Sequence, residues 1–283
     1  MSNIIDGKKI TQELRQQIAE QVKKMDRKPG LAVVLVGDDP ASKVYVNSKE
    51  RACLAAGFHS EKIVLSADIT QQELSKQIKQ LNQDDQIDGI LVQMPLPPHL
   101  DERKAILAID PNKDVDCFHP LNLGELLLQK KATPMEKLLA ACTPKGIIRL
   151  IQSTGVLLEG KKAVVVGRSH LVGKPVALLL LAENATVKIC HSRTQDLAEQ
   201  CKQADVLVAA VGVPKLITKE MIKPGAVVID VGINRVDGQL VGDVDFEQVQ
   251  PIAGNITPVP GGVGPMTIAC LLENTLILAN RRN

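Results

Sequence analysis

Two side chains four residues apart raise the first question of chemistry. The stretch Tyr45-Val46-Asn47-Ser48-Lys49 holds the only tyrosine of a 283-residue chain that has no tryptophan. Asp39-Pro40 signals a helix start and Gly57 a stop, so Tyr45 and Lys49 fall on one helix. Residues four apart on a helix have β-carbons about 5 to 6 Å apart, which puts the phenol and the amine on one face. Such a pair can position a substrate and move protons. A second constellation lies in the back half of the chain, where KKAVVVGRSHLVGKPVALLLLAEN reads as strand, glycine turn and helix. Gly167 permits a sharp turn, and the N–H groups of the loop and the following helix converge on a spot that attracts pyrophosphate. The match to G-x-G-x-x-G is imperfect, because Ser169 stands at the second glycine's place and Gly173 arrives one position late. Taken alone, the loop also reads as a merely structural strand-to-helix turn.

The residues after the next strand sharpen this reading. About 20 residues beyond the loop, an NAD enzyme usually presents an acid to the ribose 2′-hydroxyl. Here ATVKIC is followed by His191-Ser192-Arg193-Thr194, with no carboxylate. Together with Arg168 these side chains make a cationic, hydrogen-bonding pocket suited to a 2′-phosphate, so NADP is the expected cofactor. The plain alternative, Arg193 as a solvated loop residue, leaves the missing acid unexplained.

The elements that must position these groups are legible as apolar runs: LAVVLVG at 31–37, KIVLS at 62–66, GILVQMPLP at 89–97, then KKAVVVG, ATVKIC, VLVAAVG and AVVIDVG. Short runs rich in Val and Ile, separated by amphipathic stretches, indicate βαβ units and parallel sheets. The fold class is therefore α/β, with two α/β lobes, the C-terminal one a Rossmann-type doubly wound parallel sheet. Thr70 and Glu73 form a capping box that opens a helix. Pro40, Pro144, Pro175 and Pro265 each suit the first turn of a helix, where no N–H is required. The turn-rich stretch DPNKDVDCFHPLNLGELLLQKKATPMEK loses the strand rhythm and connects the lobes. The expected domains are 1–142 for substrate and catalysis and 143–264 for the dinucleotide, with the apolar final helix, 265–283, packing back on the first.

Composition excludes several classes. A formal net charge of +2 with interleaved acids, and 1% aromatics, offers neither a basic stripe nor a stacking surface, so nucleic acid is not an expected partner. The longest apolar run, at 176–182, is far short of the roughly 20 residues that span a bilayer, so no membrane role is expected. Six cysteines without a C-x-x-C pair read as reduced thiols, and a cytoplasmic protein is expected. The five histidines lack ligand-like spacing, so no metal site is expected, and no G-x-S-x-G elbow supplies a serine nucleophile.

Tyr-x-x-x-Lys is also the catalytic pair of short-chain dehydrogenases, but there it follows the glycine loop within one domain, whereas here it precedes Gly167. The whole pattern instead resembles the bifunctional methylenetetrahydrofolate dehydrogenase/cyclohydrolase family, over nearly the entire chain. The resemblance is carried by IDGKKI, YVNSKERACLAAGF, DGILVQMPLPPHL, PNKDVDCFHPLNLG, CTPKGI, VVVGRSHLVGKPVA, GAVVIDVGINR, and GDVDF followed by TPVPGGVGPMT. It implies NADP-dependent oxidation of 5,10-methylenetetrahydrofolate to the methenyl cation, then hydrolysis to 10-formyltetrahydrofolate, in a cleft between the lobes of a homodimer-forming chain. By this resemblance Lys49 is the catalytic lysine, Tyr45 stacks on the aminobenzoate, Gln93 orients the lysine and Asp116 anchors the pterin. Val92, Met94, Pro260, Gly261 and Gly262 line the folate. Gly167, Arg168, Ser169, Gly173, Ser192 and Arg193 meet NADP, and Ile233 lies near the nicotinamide. The chain departs from the family pattern at Cys117, where glycine usually follows DVD, and at Ala141, which replaces a common proline. The first departure could tighten the pterin pocket. A different NADP enzyme on this scaffold and a non-catalytic nucleotide-binding protein are the alternatives, and methylenetetrahydrofolate turnover separates them.

Overall fold

A computed structural model describes residues 3–282. The elements run β1 (Asn3–Ile4), α1 (Gly7–Val22), β2 (Gly30–Val36), α2 (Pro40–Ala55), β3 (His59–Leu65), α3 (Gln71–Gln83) and β4 (Gly89–Val92). Three helices follow without a strand: α4 (Glu102–Ala108), α5 (Pro120–Leu128) and α6 (Cys142–Gln152). Alternation then resumes with β5 (Lys162–Val166), α7 (Gly173–Ala182), β6 (Thr186–Cys190), α8 (Leu197–Cys201), β7 (Val206–Ala209) and β8 (Val227–Asp230). The chain closes with β9 (Asn234–Val236), β10 (Gln239–Val241), α9 (Phe246–Val249), β11 (Asn255–Ile256) and α10 (Val263–Arg282).

Two compact units contain these elements. One, here the Lys49 unit, comprises Glu13–Glu125, Glu136–Cys142 and the chain from Ile268 onward. The other, the Gly167 unit, comprises the chain up to Gln12, Leu126–Met135 and Thr143–Thr267.

In the Lys49 unit the sheet order is β3-β2-β4, all parallel. Strand β2, GLAVVLV, is buried along its whole length, as a central parallel strand covered on both faces must be. Along the second half of edge strand β3, exposed Lys62 and Val64 alternate with half-buried Ile63 and Leu65. Helix α3 is opened by the capping box expected from the sequence, with Thr70 Oγ1 accepting from Glu73 N and Glu73 reaching back to Thr70 N. Its Leu74, Ile78 and Leu81 recur at helical spacing and pack on Ala32, Val34 and Ile90. Each such burial contributes about 1.5 to 3 kcal/mol. The third expected run stops as a strand at Val92, because Pro95 and Pro97 cannot donate to a ladder.

In the Gly167 unit six strands run in the order β1-β11-β8-β7-β5-β6. Every pair within it is parallel. The chain moves from β5 outward to β6 and then crosses back to β7 on the other side of β5. That reversal is a topological switch point, the place outside the carboxyl strand ends where doubly wound sheets bind ligands. Val164, Val166, Leu207, Ala209 and Val228 form its core with Cys190, Ile217 and Ile256. Two features escaped the apolar-run reading: the two-residue strands β1 and β11, and the hairpin β9–β10, whose Asp237-Gly238 turn has both φ values positive.

Among the described residues, only α10 combines the length and composition that could cross a membrane, and 72% of its apolar window is buried inside the fold.

Candidate active site

Helix α2 positions the first constellation. Asp39 caps it by accepting from Ser42 N at 2.7 Å, and Pro40 occupies its first position. Val46 and Cys53 anchor the buried face, which leaves Lys49 half-buried and Tyr45 42% exposed, one turn apart. A tyrosine ring held open to that extent is free to stack on a planar ligand. Lys49 Nζ donates to Gln93 Oε1 at 2.9 Å, and Gln93 Nε2 donates to Met94 O at 2.7 Å. The second bond fixes which end of the amide faces the lysine, so Gln93 accepts from the amine without adding charge.

Gln93 leaves the end of β4 with its backbone tied to Val34 O. Alongside β4 the chain of the DVD motif runs parallel through a bridge between Ile90 and Asp114, with Ile90 N bonded to Lys113 O at 2.7 Å. Lys113 is buried and spans to Leu81 O and Asp84 O at the end of α3. Asp114 accepts from His119 N and Asn122 Nδ2. These ties hold Asp116 in place beside Lys49. Burial lifts the Asp116 carboxyl above its usual range, and the Lys49 amine and the Cys142 thiol oppose that rise. Of the residues flanking Gln93, Val92 is buried and Met94 half-buried.

Cys117 has φ +55°, the left-handed region that glycine enters freely and other residues enter at about 1 to 2 kcal/mol. That backbone requirement is the physical reason a glycine suits this position. The cysteine's sulfur is buried against Asp114 O and Asn274 Nδ2, on the side of α10.

The second constellation forms one edge of the six-stranded sheet. Gly167 N bonds to Cys190 O, which sets the loop after β5 beside the loop after β6. Gly167 has φ +134°, and a Cβ built on it would lie 2.2 Å from Ala210 O. A Cβ on Gly173 would lie 2.4 Å from Gly167 O. The late third glycine is thus required by close packing of α7 against the turn. Ser169 Oγ, in the second glycine's place, accepts from Val172 N and Gly173 N and so ties the loop to the start of α7. Arg168 and Ser169 are exposed at the tip. In the neighbouring loop, Thr194 closes a tight turn on His191, leaving Ser192 and Arg193 outward. Gly167→Ala is expected to destabilise the protein by roughly 1 to 3 kcal/mol through this forced overlap. Urea denaturation would reveal it, and an unchanged midpoint would contradict the packing argument.

Ile233, half exposed after β8, lies 3.9 Å from an ideal Cβ on Gly264. It therefore borders the Pro260-Gly261-Gly262 loop. Gly262 is required there, since a Cβ would meet Pro258 O at 2.6 Å and Thr257 Cβ at 2.8 Å. The structure thus gathers Lys49, Gln93, Asp116 and Tyr45 in one unit. In the other it gathers Gly167, Arg168, Ser169, Ser192 and Arg193 in one group, and Ile233 with the 260–262 loop in another. Sequence reading passed over Asp230, Asp243 and Thr257, all buried at the same carboxyl edge of the sheet. A signal existed: an acid ending the apolar run VVID can be buried only with dedicated partners.

Comparison with known proteins agrees in both units. Residues 5–116 match the model of the tetrahydrofolate dehydrogenase/cyclohydrolase catalytic domain. Residues 141–283 match that of the family's NAD(P)-binding domain. The chain is 57% identical over 279 residues to the bifunctional protein FolD of Halothermothrix orenii, covering 98% of this chain and 97% of that one. Among solved structures, the FolD methylenetetrahydrofolate dehydrogenase/cyclohydrolase of Campylobacter jejuni superposes with a TM-score of 0.95 at 44% identity, over all of both chains. The Trypanosoma brucei enzyme, solved with NADP cofactor and an inhibitor, gives 0.93 at 39% identity, over 99% of this chain and 98% of that one. This chain belongs to the tetrahydrofolate dehydrogenase/cyclohydrolase family.

Proposed function

We propose that this chain carries out two consecutive steps on one folate-bound carbon: NADP-dependent oxidation of 5,10-methylenetetrahydrofolate to the 5,10-methenyl cation, then hydrolysis of that cation to 10-formyltetrahydrofolate. The observation that carries the reading is the Lys49 Nζ to Gln93 Oε1 bond of 2.9 Å beside Asp116, in a chain whose other unit bears a nucleotide-type switch point.

The residues of the Gly167 unit fit a phosphorylated dinucleotide. The Gly167 turn has no room for a side chain, the loops after β5 and β6 share one edge, and two exposed arginines stand there without a carboxylate between them. NADP, when bound, supplies the hydride acceptor. Arg168, Ser192 and Arg193 would hold its 2′-phosphate, and Ser169 and the α7 N-terminus its pyrophosphate. In this reading, Gly261, Gly262, Pro260 and Ile233 wall the space beside the one-carbon unit. Bringing the two reactants together can itself lower the barrier by about 7 to 11 kcal/mol.

Hydride departure needs no proton transfer. The second step does: water adds to the methenyl carbon and loses a proton, and the C–N5 bond then breaks as N5 gains one. Neutral Lys49, oriented by Gln93, takes the first proton and returns one to N5, while Asp116 holds the pterin and Tyr45 stacks on the aminobenzoate. We further propose a homodimer joined through the Gly167 units. Edge strand β6, with Ile189 exposed, and Leu181 of α7 support it as an unpartnered apolar margin. Six buried cysteines support a reducing, cytoplasmic setting.

Purified protein given methylenetetrahydrofolate and NADP should form NADPH and 10-formyltetrahydrofolate together, and no NADP reduction would overturn the reading. Replacing both Arg168 and Arg193 by alanine should lower the NADP-to-NAD ratio of kcat/KM by roughly tenfold or more, since charge-assisted hydrogen bonds contribute about 1.5 to 3 kcal/mol. An unchanged ratio would remove the 2′-phosphate argument.

A further inference from the structure

Two buried carboxylates that the mechanism above does not use lie at the carboxyl edge of the six-stranded sheet. Asp230 ends β8 and is 3% exposed, and Asp243 follows β10 and is fully buried. Between them they take six hydrogen bonds. Asp230 Oδ1 accepts from Gly232 N at 3.0 Å and Asp243 N at 2.9 Å, and its Oδ2 accepts from Val244 N at 3.0 Å. Asp243 Oδ2 accepts from Val211 N at 2.7 Å and Gly212 N at 3.0 Å, and its Oδ1 accepts from Asn234 Nδ2 at 2.9 Å. Two glycines are shaped to these carboxylates. A Cβ on Gly232 would lie 2.2 Å from Asp243 Oδ1, and one on Gly242 would lie 1.8 Å from Asp230 Oδ2. From below, Thr257 Oγ1 accepts from Asp230 N at 2.8 Å, tying in the chain that leads to the 260–262 loop.

The bonds reach three separate segments: the loop after β7, the loop 231–233 that carries Ile233, and the base of the β9–β10 hairpin. Burying two acids side by side is costly. Burial and the neighbouring Asp243 push the Asp230 carboxyl up to about 6, against the pull of its three backbone donors. A fold that needed only to close these loops could have used neutral side chains.

The location gives the arrangement a purpose. A dinucleotide crosses the switch point, with its adenosine half over β5 and β6 and its other half over β7 and β8. The Asp230–Asp243 pair clamps only the latter side. Resting on the function proposed above, we infer that Asp230 and Asp243 are positioning residues that hold the Ile233 and Gly212 loops in register for the nicotinamide half of NADP, and so govern dehydrogenation while leaving hydrolysis of the methenyl cation untouched.

The test separates the two halves of the nucleotide and the two reactions. Asp243→Ala, Asp243→Asn and Asn234→Ala are compared with the parent in calorimetric titrations with NADP and with adenosine 2′,5′-bisphosphate, which carries only the adenosine half. Cyclohydrolase is assayed with methenyltetrahydrofolate alone, which needs no nucleotide. Asp243→Ala should weaken NADP binding and lower dehydrogenase kcat/KM by roughly tenfold or more, because it orphans two backbone N–H groups and frees the hairpin base. Adenosine 2′,5′-bisphosphate affinity and cyclohydrolase should stay at the parent's values. Asp243→Asn should restore most of the loss, since the Asn234 amide can turn to present its oxygen to the new Nδ2. Asn234→Ala removes a single surface-side bond without emptying the core, so it should fold even where Asp243→Ala does not, and it should show the same split more weakly. Equal losses in both ligands and both reactions would mark the pair as holding the whole fold and overturn the inference, as would unchanged NADP affinity in Asn234→Ala. Failure of the parent to bind NADP would instead overturn the functional reading, and this inference with it.

Discussion

Lys49→Met should lower the cyclohydrolase rate by roughly 10²- to 10⁴-fold, the range a positioned general base supplies, while NADP binding stays at the parent's level. Methionine keeps an unbranched stem of similar length in the half-buried slot on α2 but cannot accept or return a proton. Among the described residues the bond removed is the one to Gln93 Oε1, and Gln93 is itself half-buried, so water can reach the vacated acceptor and little stability is lost. Hydride transfer moves no proton, so dehydrogenase activity should fall much less than hydrolysis. Stopped-flow decay of the methenyl chromophore measures the effect. Hydrolysis at the parent's rate would refute the assignment of Lys49 as the base, whatever happened to the first step.

The second large effect is expected at Asp116. Asp116→Ala should raise the Michaelis constant for the folate roughly tenfold to a hundredfold, the value of a charge-assisted hydrogen bond or two. Its stability effect should have the opposite sign to that of an ordinary core mutation. Burial lifts this carboxyl, so the folded protein holds the proton more tightly than the unfolded chain does. The group's favourable contribution is complete below the ordinary carboxylate pKa and is lost as pH rises through the lifted value. Above the lifted value the ionised side chain costs stability, and there alanine should leave the unfolding midpoint unchanged or raised. Folate affinity in the parent should weaken on acidification at a pH above the usual carboxylate range, and Asp116→Ala should lose that dependence. A variant with unaltered folate KM, or one that loses affinity only because it unfolds earlier, would count against the anchoring role.

What could be read from the chain beforehand divides along a physical line. Strands β2, β5, β7 and β8 were visible because parallel strands covered on both faces need continuous apolar runs. Helices α2 and α3 announced themselves through Asp39-Pro40 and the Thr70–Glu73 box, since helix ends must satisfy their own backbone groups locally. Features that depend on partners distant in sequence were not visible. Strands β1 and β11 are two residues each, and their pairing across the length of the chain leaves no periodic trace. The Asp237-Gly238 hairpin signal was present in the sequence but sat between exposed residues without an apolar face to draw attention to it.

The site divides in the same way. The Tyr45, Lys49 spacing and the Gly167 loop are local patterns. By contrast, the bond from Lys49 to Gln93 joins residues 44 apart, and Asn274 reaches Val115 and Ala140 across separations of 159 and 134 residues. The reason glycine suits position 117, a left-handed φ, became apparent only with the backbone in view.

The central claim is that an amine from the Lys49 unit and a dinucleotide held by the Gly167 unit act on the same carbon. A crystal structure of the ternary complex with NADP and a non-reactive folate analogue tests it most directly. The account predicts the carbon analogous to the one-carbon bridge about 3 to 3.5 Å from nicotinamide C4, with Lys49 Nζ within hydrogen-bond or one-water reach on its other side. A folate analogue bound at Lys49 with the nicotinamide in a separate pocket, beyond contact of that carbon, would contradict it.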